Sequence, residues 1–231
     1  MSGAHVRPVA RDVVLVADAV TVRYRSGPAV VTVLDGVSLT VAAGEVVCLS
    51  GPSGSGKSTL CHVVAGFEDP SSGTVTVAGQ GPTGLHDWAA IAVVPQRLGL
   101  VPELTVAESV ALPRALRGAA ADAAHDGGAG LPSVQSLLAE LALDGLGHRY
   151  VGETSMGEQQ RTAIARARSL DPTLLVLDEP TGSQDDEHVD RVLAAIGGAA
   201  VRGSAVLVST HDDRVLAVAD RVVGLSDGRV T

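Results

Sequence analysis

The sequence predicts an α/β domain with a parallel sheet at its centre and an antiparallel sheet beside it. Short Val- and Leu-rich runs alternate along the chain with helical segments, the order expected of a parallel sheet. Several of these runs are almost continuously apolar, which suits strands covered on both faces. The 231 residues are 45% hydrophobic, enough for one sizeable domain with a developed core. Only 2% are aromatic, so Val, Leu, Ile and Ala must build that core.

Taken in order, Val13–Tyr24, Val30–Val41 and Thr74–Ala78 alternate apolar and polar residues and have turn residues between them, the pattern of the antiparallel sheet. Buried strands are expected at Val46–Ser50, Ile91–Val94, Leu174–Asp178, Ala205–Ser209 and Val222–Leu225. From about Leu98 to Glu153 no strand is expected. Ala119–Gly130 is rich in Ala and Gly with two Asp, and reads as a surface loop or a frayed helix. Val134, Leu137, Leu138 and Leu141 fall at i, i+3, i+4 and i+7, one apolar helical stripe for core packing, with Asp144-Gly145 as its stop. No internal repeat is present.

Composition narrows the function. A formal charge of -9 argues against a nucleic-acid binder that works through a broad basic face. The two cysteines, Cys48 and Cys61, lack metal-ligand spacing and fit a reducing compartment. No apolar run approaches the ~20 residues that span a bilayer, and Met1–Arg11 lacks the apolar stretch of a secretory signal. A membrane role is expected to be peripheral.

Gly51-Pro52-Ser53-Gly54-Ser55-Gly56-Lys57-Ser58-Thr59 satisfies G-x-x-x-x-G-K-S/T, entered by a strand and left by a helix running towards Gly66. Glycines let backbone N–H groups converge on phosphate oxygens, and the helix N-terminus adds the positive end of its dipole. Lys57 is expected to reach the β/γ-phosphates and Ser58 to ligate Mg²⁺. On the same helix, Cys61 and His62 read as packing or surface residues. Leu174–Asp178 then ends in two carboxylates, Asp178 and Glu179, before Pro180. Ligands bind at the carboxyl ends of strands in doubly wound sheets. Asp178 can hold the water shell of Mg²⁺, and Glu179 can orient and deprotonate an attacking water.

Between these motifs lies Thr154-Ser155-Met156-Gly157-Glu158-Gln159-Gln160-Arg161, followed by Ala163-Ile164-Ala165-Arg166-Ala167. It resembles the L-S-G-G-E/Q signature of ABC ATPases with its Q-Q-R helix. Ser155 and Glu158 also have the spacing of a capping box, and a helix start with a Ser hydroxyl is itself a phosphate site. In the same order Gln96 resembles the glutamine loop, Ser183-Gln184-Asp185 the D-loop and His211 the switch histidine. Tyr24 resembles the aromatic that stacks on adenine, a role that competes with strand packing. The resemblance covers about Leu15 to Val230 and is strongest to the lipoprotein-release, macrolide-export and cell-division branch.

It implies a RecA-like P-loop NTPase core with an antiparallel β subdomain and a helical insertion at about residues 98–160, all one domain over residues 1–231. It implies an ATPase using ATP and Mg²⁺, the metal on Ser58, Gln96 and Asp178. Lys57, Gln96, Glu179 and His211 are the implied catalytic set. Tyr24, residues 51 and 53–59, Ser155, Gly157 and Asp185 are the implied nucleotide contacts. Two ATP-binding subunits, identical or related, pair head to tail on the cytoplasmic side of the cell membrane beneath a membrane-spanning permease. The coupling contact falls between the glutamine loop and the signature.

The chain departs from the family pattern at Thr154, where Leu is usual, at Met156, where the first signature Gly stands, and at Gln184, again in place of Leu. Asp186 adds a charge. Met156 brings a Cβ and loses glycine's freedom at positive φ. Two other functions share these motifs: an ATP-dependent regulatory module of a membrane complex, and a soluble ABC ATPase without transport.

Overall fold

The computed structural model describes residues 11–81, 90–117 and 130–231. Among them, β1 (Val13–Ser26), β2 (Ala29–Ala42) and β4 (Ser72–Val77) form an antiparallel sheet in the order β2-β1-β4. A second sheet runs β5-β6-β7-β3-β8-β9. Its members are β3 (Val46–Ser50), β5 (Ile91–Val94), β6 (Leu174–Asp178), β7 (Ala205–Ser209), β8 (Arg221–Ser226) and β9 (Arg229–Val230). All its pairings are parallel except β8 with β9. The two-sheet α/β architecture expected from the sequence is therefore present.

The pleat of the central strands divides the core in two. Val47, Leu49, Leu174, Val176, Ala205 and Leu207 join one cluster, shared with α1 (Lys57–Val64) and the antiparallel sheet. Their alternates Val46, Cys48, Leu175, Leu177, Val206 and Val208 face the other side. That face is covered by α2 (Val106–Arg117), α3 (Val134–Glu140), α4 (Met156–Arg168) and α5 (Asp186–Val201). Period-2 side-chain direction with helices on both faces explains why these strands read as unbroken apolar runs. Burying each Leu contributes about 1.5–3 kcal/mol relative to leaving it exposed.

Two strands depart from the expectation of burial on both faces. β5 is only partly covered over its first three residues, and in β8 Val222 is exposed while Val223 and Leu225 are buried. Both lie towards the edges of the sheet, β5 as its last strand and β8 with only the two-residue β9 beyond it. α3 also ends earlier than expected. Its last residue is Glu140, Ala142 adopts φ 52°, and Asp144-Gly145 open a short 3-10 turn instead of supplying the stop. Buried Leu137, Leu138 and Leu141 carry its stripe, as the spacing predicts. The Ala/Gly-rich stretch expected as a loop lies, but for Gly130, outside the described residues. No helix among the described residues is long and apolar enough to cross a membrane.

Candidate active site

Strands β3, β6 and β7 are neighbours in the parallel sheet, so the segments after their carboxyl ends converge. The segment after β3 turns at Gly56 into α1. Gly56 has φ 105°, and a Cβ there would stand 2.6 Å from Leu34 Cδ2 and 2.9 Å from the Val33 carbonyl. Only glycine fits, because β2 passes directly over the loop. Lys57 is buried, and its Nζ donates to the carbonyls of Gly51 at 2.7 Å and Pro52 at 3.1 Å. The ammonium is thus held by the loop's own backbone.

A hollow of about 460 Å³ opens here, lined by Ser53, Gly54, Gly56, Lys57, Ser58 and Thr59, with Val33, Gln96 and Glu179 completing it. Gly51 and Ser55 belong to the loop without lining the hollow. Gly51 lies against the Leu225 carbonyl, and the Ser55 hydroxyl is buried without a hydrogen-bond partner among the described residues. Four side chains singled out from distant parts of the sequence (Lys57, Ser58, Gln96 and Glu179) are brought to one place. Val33 had no sequence signal; the passage of β2 over Gly56 delivers it.

Asp178 closes β6 and is 3% exposed, and its Oδ1 finds no partner among the described residues. A buried carboxylate oxygen left without a donor is costly, and a cation is the partner that suits it. Asp178 and the Ser58 hydroxyl each offer hard oxygen donors, the chemistry that suits Mg²⁺. Among the described residues no cluster of three or more His, Cys, Asp or Glu forms a cage of its own. Cys61 is fully enclosed behind this site. Burial pushes its thiol well up and the nearby Asp178 charge adds to the effect, so it packs and does not react. His62 lies near the Phe67 ring, with centroids 6.1 Å apart.

Glu179 turns sharply away from the strand at φ 52°. Its N–H donates to the Ser209 carbonyl at 2.8 Å, and its own carbonyl accepts from Gln160 Nε2 at 2.8 Å. His211, which follows β7, brings Nδ1 to 2.9 Å from Glu179 Oε1. That hydrogen bond, reinforced by the carboxylate charge, raises the pKa of His211 above its ordinary value. Asp212 caps α6 (Asp213–Ala217) and grips Arg214, which holds the Asp212 carboxyl down at about 2 and fixes the segment carrying His211.

Tyr24 lies outside the lining of the hollow. It is 40% exposed on β1, and its hydroxyl donates to Glu68 Oε2 at 2.6 Å. Its phenol also interacts with Thr59, at the start of α1, which puts the ring beside the phosphate-loop helix. Burial and then Glu68 raise its pKa, the Thr59 contact opposing them.

Ser155, Gly157 and Asp185 occupy a different hollow, of about 670 Å³, with Met156, Arg161, Gln184 and His188 among its walls. The sequence-predicted nucleotide contacts therefore fall into two groups on one chain. Ser155 caps α4 in a complete capping box: its Oγ accepts from the Glu158 N–H at 3.3 Å, and Glu158 Oε2 accepts from the Ser155 N–H at 2.7 Å. Asp185 caps α5 and pairs with His188, which keeps its carboxyl below the usual range. Thr154 is buried, with its hydroxyl donating to the Val151 carbonyl at 2.7 Å, so the hydroxyl that replaces a Leu side chain is satisfied. Met156 is the first residue of α4, is absent from the positive-φ positions and is 60% exposed. The concern about lost positive-φ freedom does not apply in this conformation; what Met156 adds is bulk at the wall of the hollow.

The family model described as ABC transporter matches residues 34–182. The lipoprotein-releasing system ATP-binding protein LolD of Chromohalobacter salexigens is 37% identical over 228 residues, covering 95% of this chain and 94% of that protein. The macrolide export ATP-binding/permease protein MacB of Chromobacterium violaceum is 35% identical, covering 92% of this chain and 33% of its own length. Among solved structures, a dimeric post-hydrolysis state of the ATP-binding cassette MJ0796 bound to ADP and Pi superimposes with a TM-score of 0.80 at 29% identity. It covers 94% of this chain and 96% of that one.

Proposed function

The chain belongs to the ABC transporter family, and from that membership we propose that it is the ATP-binding and hydrolysing subunit of a membrane transporter. One observation carries the reading: Lys57, Ser58, Gln96 and Glu179 line one hollow, whereas Ser155, Gly157 and Asp185 line another. In this reading a single copy presents two half-sites, one in each hollow. Two copies, or this chain and a related one, complete a site when the phosphate loop of each meets the signature of the other. The dimeric cassette among its structural neighbours supports that arrangement.

In this reading Lys57 leaves the loop carbonyls to hold the β/γ-phosphates of ATP, and the loop N–H groups receive the phosphate oxygens. Ser58, Gln96 and Asp178 would hold Mg²⁺, which supplies positive charge against the phosphates when bound. Glu179 orients the attacking water and takes its proton. His211, which shares a hydrogen bond with Glu179, contacts the γ-phosphate. Tyr24 stacks on the base. Ser155 and Gly157 reach the γ-phosphate held by the partner copy, with Asp185 beside them. Positioning and charge do the work, as in other phosphoryl transfers.

The permease docks on the cytoplasmic face of the membrane, against the groove formed by Gln96, Arg97, Leu98, Gly99, Pro102 and Gln159. The matches to LolD and MacB, whose names place them in release and export systems, support a separate or fused membrane partner. The test is ATP turnover by the purified chain with and without the co-purified membrane subunit, beside Lys57→Ala. The expected result is magnesium-dependent turnover that the partner alters and that Lys57→Ala abolishes together with ATP binding. Unchanged ATP affinity in Lys57→Ala would remove the phosphate-loop assignment. Binding without turnover in the full complex would make this a regulatory module.

A further inference from the structure

Resting on the two-half-site reading above, we infer that Gln184 is a positioning residue. It clasps the segment after β6 to the start of α4, so that the two half-sites of one chain keep a fixed relation. Arg161 is 4% exposed, and its Nη1 donates to Gln184 Oε1 at 2.8 Å. Gln184 Nε2 in turn donates to the Gly157 carbonyl at 3.0 Å. The amide is used at both ends and in one orientation only, since its reversal would set donor against donor. A leucine at this position could make neither bond.

The backbones touch at the same point. A Cβ on residue 157 would stand 2.8 Å from the Ser183 carbonyl, so Gly157 permits the approach that Gln184 then fastens. The preceding helical residue, Gln160, donates to the Glu179 carbonyl at 2.8 Å. Adjacent residues of α4 therefore hold both ends of the stretch from Glu179 to Gln184. Glu179 lines the phosphate hollow, and Asp185, next to Gln184, lines the signature hollow. Arg161 Nε has no hydrogen-bond partner among the described residues, so removing the Gln184 amide takes a further partner from a guanidinium already short of one.

The experiment uses the full chain carrying Glu179→Gln as parent, with Gln184→Leu and Gln184→Glu introduced into it. Affinity of the isolated protomer for a fluorescent ATP analogue should stay at the parent's value, because no phosphate-loop contact changes, while the thermal midpoint should fall by only a few degrees as Arg161 loses a partner. ATP-driven dimerisation, followed by analytical ultracentrifugation, should weaken about tenfold in Gln184→Leu, the size of one lost hydrogen bond to a charged group. In the otherwise wild-type chain the same substitution should lower kcat and leave KM unchanged. Gln184→Glu keeps an acceptor for Arg161 and loses only the donor to Gly157, so it should fall between. Parent-like or tighter dimerisation in Gln184→Leu overturns the inference. So does loss of protomer ATP affinity together with the thermal midpoint, which would mark a purely structural role. Should Gln184→Leu fold poorly, parent-like dimerisation in Gln184→Glu overturns it equally. A parent that forms no ATP-driven dimer at all removes the two-half-site reading first, and this inference with it.

Discussion

Glu179 sits at φ 52°, a conformation that costs a non-glycine residue about 1–3 kcal/mol. The cost is sustained by what the turn achieves: the chain leaves β6 after Asp178 and aims the next carboxylate at His211. Glu179→Gln retains the shape and removes the proposed base, so turnover should fall by roughly 10²–10⁴-fold while ATP still binds and the closed dimer accumulates. Near-normal hydrolysis in that variant would exclude Glu179 as the base. The same pair makes a pH prediction. Because the folded-state pKa of His211 is raised, its pairing with Glu179 contributes stability fully below the unfolded value of about 6.5 and loses it as pH rises through the raised folded value. The gap in thermal midpoint between wild type and Glu179→Gln should therefore narrow from pH 6 to pH 9. Ring-proton titration should show His211 returning towards its ordinary pKa in the variant. A gap that is flat across that range would mean the pair has no energetic weight in solution.

At the scale of elements, α4 begins at Met156 with a complete capping box, and the Met side chain projects at the wall of the signature hollow. Met156→Gly should remove that bulk and raise ATP-driven dimerisation and turnover. Met156 is exposed at the first helical position, where glycine costs at most about 1 kcal/mol of helix propensity, so folding should survive. Lower turnover in both the isolated chain and the membrane complex would show that Met156 packs productively against the partner. The start of α4 was legible from Ser155-x-x-Glu158, and four of the five central strands were legible to the residue: β3, β6 and β7 because a covered strand leaves an unbroken apolar run, and β5 because it is a short apolar run even though only partly covered. α2 was not legible as a distinct helix: Pro113 lies inside it and breaks the pattern that would announce it. Nor was the end of α3, where a positive φ at Ala142, with no glycine to signal it, takes the place of the Asp144-Gly145 stop. Lys57 was singled out by its G-x-x-x-x-G-K-S/T loop, Asp178 and Glu179 by the carboxylates that end a readable strand, and His211 only by its place in the family order. Val33 and the Gln160 and Gln184 ties could not be singled out, since they depend on how separate elements pack.

At the scale of the molecule, the proposed function asks the helical side to transmit what the site does. Gln96 lines both the phosphate hollow and the neighbouring groove, which continues through Leu98, Pro102, Gly152 and Met156 to Gln159 on α4. One side chain thus borders the place where the γ-phosphate is proposed to lie and the surface proposed to meet the permease. The groove is braced from below: Arg166 donates to the carbonyls of Leu98 at 2.9 Å and Gly99 at 3.0 Å, which joins α4 to the segment following Gln96. A shift of Gln96 when ATP binds would therefore carry that segment with it, and a load applied to the groove would be felt at Gln96. Cysteines at Pro102, in the wall of the groove, or at the adjoining Glu103, both exposed, should crosslink to the membrane subunit in the assembled complex. The yield should change when ATP is added to the Glu179→Gln background. Crosslinks that cluster on the exposed residues of α5 while positions 102 and 103 remain free would place the docking surface elsewhere. A yield at position 102 that ignores nucleotide would keep the docking face but remove Gln96 as its link to the site.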